Sequence, residues 1–380
     1  MRIAIVTESF LPSLNGVTTS VCRVLEQLRA GGHEAVLIAP DPAPRSHAGY
    51  AVHRVASVPV RSFRVGLPSP QIEDVLRAFR PDIVHLASPF VLGVRGLAAA
   101  AQLGLPTVAV YQTDMPSYLL QHSRGVAGRT AHRAAWRWVR RTHGQADLTL
   151  APSSAALADL REHAVPRTAL WARGVDTALF HPGRREEPAS LALRRRLAPE
   201  GGLVVGYVGR PAPEKEVHRL AGLAADDRAR LLVVGEGPSR EALAGRLPGA
   251  TFLGRLEGED LAHAYAAMDV FVHTGTRETF GQTLQEAAAT GLPVVAPARG
   301  GPLDLVQHGR TGLLFDPDRP GDLPHQVQQL TAGPGAARRR DRMGTAGCRA
   351  VRDRSWPVLV DELLGHYERV LAGRAARRTA

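Results

Sequence analysis

Short β-branched apolar runs alternate with longer Ala- and Leu-rich helical patterns along almost the whole chain. That rhythm is the signature of βαβ units and parallel sheets. In the first half, strands are expected at Arg2–Thr7, Ala35–Ala39, Ile83–Leu86, Thr107–Tyr111 and Leu148–Ala151. Helices are expected over Val17–Ala30, Gln71–Phe79, a long stretch from about Ser117 to His143, and Ser154–Glu162. The pattern breaks in the turn-rich segment Arg173–Pro182 and the charged, irregular Gly183–Pro188. It restarts with strands at Leu203–Val208, Leu231–Val234, Thr251–Leu253, Val270–His273, Val294–Ala296 and Gly312–Phe315. A closing helix, Trp356–Leu371, puts Leu359, Leu363, Leu364, Tyr367 and Val370 on one face. In two-lobed folds such a helix crosses back to the first lobe.

Length agrees with this division, since 380 residues at roughly 150 per domain suggest two domains. The expected architecture is α/β: two facing Rossmann-like domains with a deep interdomain cleft and a C-terminal crossover helix. The N-terminal domain takes residues 1–175 plus 357–374 and the C-terminal domain 181–355. Only Arg374–Ala380 reads as disordered. Open parallel sheets bind ligands beyond the carboxyl ends of their strands, so the chemistry belongs in the loops that follow strands.

The net charge is +11, and of 47 basic residues only Lys215 is lysine. Such a balance favours phosphorylated substrates, acidic membrane surfaces or nucleic acid. An arginine excess beside abundant Ala, Gly and Pro also fits a GC-rich coding bias spread over a solvated surface. Cys22 and Cys348 supply neither a disulfide framework nor metal spacing, which fits a reducing cytoplasm. The chain enters a strand from Arg2, so no signal peptide is expected. The most apolar stretch, Gly96–Val110, is too short to span a bilayer.

The richest segment is His273–Glu286, where a strand ends and a helix begins near Gly281. Bare N–H groups at a helix start suit a diphosphate, and Gly281 permits close backbone approach. Glu278 precedes the helix and Glu286 lies within it, two carboxylates fit for sugar or ribose hydroxyls. Acidic residues near a helix start also simply complement its dipole. In Gly209–Lys215, after another strand, Arg210 offers a planar fork and Lys215 a point charge for one diphosphate. Gly16, at the helix start after the first strand, is a third candidate, able to close over the phosphates from the opposite lobe. The chain has no G-x-G-x-x-G fingerprint and no P-loop. Asp316-Pro317-Asp318 reads as a turn, and His85, His132, His143 and His273 as structural.

Arg129, Arg133, Arg137 and Arg141 are four apart and line one helix face, with Trp136 and Trp138 among them. A basic helix with interfacial tryptophans docks on anionic lipid. A solvated face with inward-packed tryptophans has the same sequence pattern.

The segments Asn15-Gly16-Val17, Gly209-Arg210…Glu214-Lys215, Glu278…Glu286 and Gly291-Leu292-Pro293-Val294-Val295-Ala296, with Pro81–His85 and Arg173–Asp176, resemble glycosyltransferase family four, of GT-B fold, in order along nearly the whole chain. Within it, the chain is most similar to actinobacterial GDP-mannose-dependent α-mannosyltransferases acting on phosphatidylinositol mannosides or mannosylglycolipids. The resemblance implies a metal-independent, cofactor-free, retaining hexosyl transfer. The donor is a nucleotide sugar, GDP-mannose first, and the acceptor a lipid-linked or other glycan hydroxyl. It assigns Arg210 and Lys215 to the donor diphosphate, Glu278 to the donor sugar and Glu286 to the ribose. Phe280, Gly281, Gln282 and Thr283 should line sugar and phosphate, Gly16 should give an N–H to phosphate, and Leu256 should lie by the base. It also implies front-face departure and attack, the leaving phosphate helping to take the acceptor proton.

One position departs from the family. Relatives carry histidine after the Thr107–Tyr111 strand, where this chain has Gln112 and Asp114. Gln112 cannot transfer a proton, so Gln112 and Asp114 are expected to contact sugar or acceptor. The mannosylglycolipid branch is similar here. A cytoplasmic protein, peripheral on the inner face of the plasma membrane and without nucleic acid as partner, is the reading that follows. The rivals are a UDP-sugar-dependent member of the same family, a phosphorylase or epimerase of the same architecture, and a non-enzymatic basic protein binding membrane or nucleic acid.

Overall fold

The computed structural model describes residues 1–13, 15–60, 63–114, 116, 125–224 and 229–379. The chain divides into two compact units, Met1–Gly174 with Trp356–Ala380, and Val175–Ser355.

The first unit is built on eight strands: β1 (Arg2–Val6), β2 (Glu34–Pro40), β3 (Ser46–His47), β4 (Tyr50–Val55), β7 (Ile83–Leu86), β8 (Thr107–Val110), β9 (Leu148–Ala151) and β10 (Thr168–Leu170). The numbers β5 (Ser57–Val60) and β6 (Phe63–Gly66) belong to a separate antiparallel hairpin. The order across the sheet is β10-β9-β8-β7-β1-β2-β4-β3, parallel throughout except for the β3–β4 edge. β1, β2 and β7 are almost wholly buried, as a parallel sheet covered on both faces requires.

One face of that sheet is sealed by the last helix, Trp356–Thr379. Its Trp356, Leu359, Val360, Leu363, Tyr367 and Val370 share a core cluster with Ile3, Ile5, Leu37 and Val108. Polar clasps fix its register. Trp171 Nε1 donates to Leu359 O at 2.7 Å, Tyr367 Oη meets His85 Nδ1 at 2.7 Å, and His366 meets Leu170 O at 3.1 Å. The tail from Arg374, expected to be disordered, is instead helical to Thr379, with Arg374 tied to Asp147 at 2.9 Å and to Gly104 O at 2.8 Å.

The long helix expected from about Ser117 is observed as Gly125–His143. Ser117–Arg124 lie outside the described residues. Arg129, Arg133, Arg137 and Arg141 are all exposed. Of the two alternatives for the tryptophans, the structure has them packed inward. Trp136 is buried, stacked on His163 at 3.6 Å, and Trp138 sets its edge against Phe90 at 5.7 Å. No helix among the described residues is long and apolar enough to cross a membrane.

The second unit holds β11 (Leu203–Val208), β12 (Ala229–Val234), β13 (Thr251–Gly254), β14 (Val270–Val272), β15 (Val294–Pro297) and β16 (Gly312–Phe315). They form one parallel sheet in the order β13-β12-β11-β14-β15-β16, the doubly wound arrangement of a dinucleotide fold. Apolar clusters cover both of its faces. The order reverses between β11 and β14, and the loops leaving those two strands open the natural ligand crevice of such a sheet.

Candidate functional site

At that reversal the structure brings two predicted residues into direct contact. Lys215 closes the short 3-10 turn Pro213–Lys215 after β11, and Glu278 lies in the loop after β14. The Lys215 ammonium donates to Glu278 Oε1. The loops are stitched by their own polar groups: Thr274 Oγ1 donates to Lys215 O at 2.7 Å, and Thr276 Oγ1 to Glu216 Oε1. Glu216 is in the left-handed region at φ 49°, uncommon for a side-chain-bearing residue. Thr276 and Arg219, whose Nε donates to its Oε2 at 2.6 Å, hold it there. The strained turn therefore presents Lys215 from a braced backbone.

Arg210, in the same loop, is half-exposed and faces Glu214 at 3.4 Å. It is a cation on the lip of the site, while Lys215 lies further in. Glu278 is also anchored by its backbone, whose carbonyl accepts from Gly301 N at 2.9 Å.

The helix Gln282–Ala289 starts beside Glu278, with Gly281 as its N-cap at φ 106°. Glycine fits that backbone and itself offers no capping side chain, and a helix start of this kind, with the dipole behind it, suits an anion. The Phe280 ring is buried, which leaves its backbone to line the loop. Gln282 and Thr283 are half-buried in the first turn. Glu286, one turn on, accepts from Tyr265 Oη at 2.9 Å. Burial and the Glu286 charge together hold the Tyr265 phenol well above its ordinary pKa, as a neutral donor. Leu256, after β13, leans on the unit's apolar core.

His273, at the head of the segment and read from the sequence as structural, stands beside Glu278. It follows β14, is buried, and has Nε2 3.8 Å from Glu278 Oε1. Burial lowers its pKa to about 4. The Asp316–Asp318 segment is a turn, with Asp318 N on Asp316 Oδ1 at 2.9 Å.

In the first unit the predicted residues gather on the carboxyl rim of their own sheet. Gln112, just after β8, donates from Nε2 to Ala87 O at 2.8 Å, and its Oε1 accepts from Arg173 at 2.7 Å. Gln112 and Arg173 are both buried. Gly16 opens the helix Gly16–Ala30, capped by Asn15, which accepts from Val17 N at 3.0 Å and Thr18 N at 3.1 Å. A Cβ on Gly16 would meet Arg173 Nη1 at 2.5 Å, so glycine there makes room for the guanidinium. Asp114 accepts from Tyr111 Oη at 3.3 Å. Glu8, after β1, caps the helix Val91–Gln102 through Gly93 N at 3.0 Å. Burial raises its pKa to about 7 against the pull of the backbone amides of Gly93, Leu92 and Phe90. Neither Arg173 nor Glu8 was a sequence candidate.

Residues 14–179 match the family described as Glycosyltransferase Family 4, and residues 192–349 the one described as Glycosyl transferases group 1. Over 387 residues the chain is 51% identical to the GDP-mannose-dependent alpha-mannosyltransferase of Mycolicibacterium smegmatis, covering 99% of this chain and 100% of that protein. The protein of the same description from Corynebacterium glutamicum is 43% identical, over 98% of this chain and 90% of its own. Among solved structures, sucrose-phosphate synthase from Thermosynechococcus elongatus superposes with a TM-score of 0.77 at 21% identity, covering 98% of this chain and 99% of the other. Anabaena HepE in complex with UDP-glucose gives 0.76 at 21%, covering 96% and 100%. These likenesses identify the two Rossmann-like units as the GT-B fold, and full-length identities of this size show that the chain belongs to glycosyltransferase family 4.

Proposed function

We propose that this protein transfers mannose from GDP-mannose, with retention of anomeric configuration, to a hydroxyl of a lipid or glycan acceptor. The observation that carries the chemistry is the Lys215–Glu278 pair at the strand-order reversal of the second sheet, beside the glycine-led start of helix Gln282–Ala289. Mannose and guanine are favoured by relatives at 43% and 51% identity, which are described as GDP-mannose-dependent alpha-mannosyltransferases.

In this reading the donor diphosphate lies over the first-turn amides of Gln282–Ala289. Lys215 and Arg210 neutralise it, so the charge that grows on the leaving phosphate meets fixed cations. Glu278 binds the sugar hydroxyls, Glu286 the ribose, and Leu256 packs near the base. The protein's own cations supply the compensation, and turnover in excess EDTA should equal that in its absence. Gln112 lacks a proton to exchange, so it orients Arg173 on the acceptor-side unit. The acceptor's proton goes to the departing phosphate. The exposed arginine row Arg129, Arg133, Arg137 and Arg141 holds the enzyme on anionic lipid from the cytoplasmic side, without a tryptophan anchor.

The test is a thermal-shift panel of GDP, UDP, ADP and their sugars, since a ligand that binds only the native state raises its stability. GDP and GDP-mannose should give the largest shifts. A larger response to UDP and UDP-sugars would reject the mannosyl donor while leaving glycosyl transfer intact.

A further inference from the structure

The second unit carries a hollow outside the donor site. A cavity of about 840 Å³ lies between residues 304–311 and residues 341–354, and every residue lining it belongs to this unit. That size is in the range of small-molecule pockets. Helical spacing builds one wall. In the helix Ala336–Val351, Arg342, Thr345, Ala346 and Arg349 stand at i, i+3, i+4 and i+7 and share a face. The facing segment brings Arg310, whose Nη1 donates to Gln307 Oε1 at 3.1 Å. Arg354, beyond the helix, donates from Nη2 to Asp304 O at 3.3 Å. The guanidiniums of Arg342 and Arg349 make no hydrogen bond or ion pair among the described residues.

Four cations thus line one hollow against two carboxylates, Asp304 and Asp341. Like charges gathered in a concavity draw an anion. A carboxylate has one charge and two oxygens, and a single guanidinium fork fills it. A phosphate monoester carries close to two charges and three free oxygens at neutral pH, so it takes several forks at once. Arg342 and Arg349 leave the helix about 10 Å apart along its axis, a span that two arginine side chains can close on one phosphate. The hollow is larger than a phosphate alone, and Leu305, Ala346 and Val351 add an apolar strip for an organic body beside it.

We infer that this cavity is a second ligand site, which takes the phosphate of a phosphate monoester on Arg342 and Arg349 and its organic part against Leu305, Ala346 and Val351. The inference stands on the cavity and does not depend on the identity of the sugar donor. A free metabolite and the headgroup of a phosphatidic acid share this chemistry.

The experiment uses the full chain as wild type, Arg342→Gln/Arg349→Gln, Lys215→Ala, and Arg195→Gln/Arg196→Gln, which removes equal charge from two exposed positions of another helix. Glucose 6-phosphate, glycerol 3-phosphate and AMP are titrated by calorimetry, and co-sedimentation is compared between phosphatidic acid and phosphatidylcholine vesicles. The expected result is that a monoester binds the wild type and that Arg342→Gln/Arg349→Gln weakens it at least tenfold, about tenfold being the size of one lost hydrogen bond to a charged group. Lys215→Ala and Arg195→Gln/Arg196→Gln should stay within about twofold of wild type, and all variants should melt within a few degrees of it. Binding of a soluble ester identifies a metabolite as the source, and binding of phosphatidic acid vesicles alone a lipid headgroup. The site is overturned if no probe binds the wild type, or if Arg195→Gln/Arg196→Gln weakens binding as much as Arg342→Gln/Arg349→Gln does. Binding that Lys215→Ala removes and Arg342→Gln/Arg349→Gln leaves intact would belong to the donor site and overturn it equally.

Discussion

The two units are relatives in architecture and opposites in how they carry charge. The second sheet is parallel from edge to edge, with one order reversal, and its charged residues stand at that point: Lys215, Glu278, Glu216 and Arg210. The first sheet has an antiparallel edge and a hairpin beside it. Its rim is a buried polar network in which Arg173 is locked to Gln112 and Glu8 to a helix start. A site that must neutralise a diphosphate needs accessible cations on short, braced loops. The other rim ties its polar groups to one another and to backbone, and they are largely buried. Substitutions in the second unit should therefore change turnover while the fold stands, and those in the first should change stability or surface behaviour.

The sharpest test is Lys215→Ala. Removing a preorganised charge from a leaving phosphate costs about 10²–10³-fold in turnover. Its melting temperature should stay within a few degrees of wild type, because the pair with Glu278 is partly solvated. Wild-type turnover, or collapse of the fold, would erase the contrast.

The next effect belongs to the arginine row. Replacing Arg129, Arg133, Arg137 and Arg141 with Gln should abolish most co-sedimentation with anionic vesicles, at up to about 1 kcal/mol per residue near such a surface. Turnover on a soluble acceptor should not change. Undiminished vesicle binding would show that this face is simply solvated.

The smallest effect is a pH dependence in the first unit. The folded Glu8 carboxyl titrates near 7, above its ordinary 4.5. Between those values the folded chain holds a proton that the unfolded chain has lost, so stability falls as pH rises from about 4.5 to about 7. Above that window the loss is complete. Glu8→Gln removes this dependence. Its stability relative to wild type should grow across the window by something on the order of 2–3 kcal/mol. A difference that is flat with pH would mean Glu8 is ionised on folding.

Much of this was legible from residue order alone. Ile83–Leu86, Leu148–Ala151, Leu203–Val208 and Gly312–Phe315 are strands within the limits that their β-branched runs suggest. The helix Val91–Gln102 was passed over because its Ala-rich, nearly uniform apolar text has no polar face to mark a helical period. β4 alternates buried and exposed positions imperfectly, and β10 has three partly exposed residues, so neither rises above a loop in sequence. In the site, Lys215 and Glu278 stood out because charge is visible in text. Arg173 and Glu8 did not, because their significance lies in being buried, and burial is set by strands far away in sequence. The tail after Leu371 was misjudged for the same reason, since its anchor Asp147 lies 227 residues away from Arg374.

The helix that completes the first unit's core lies beyond the whole second unit in the chain and is synthesised after it. The 181 residues from Val175 to Ser355 must be synthesised before Trp356, Leu363 and Tyr367 exist. At bacterial and eukaryotic elongation rates that is a delay of roughly 10–40 s. During it, Ile3, Ile5, Leu37 and Val108 wait beneath an uncovered apolar seat, open to chaperones or to other nascent chains. The second unit has no such debt and can finish first, so the order of maturation in the cell runs against the order of translation.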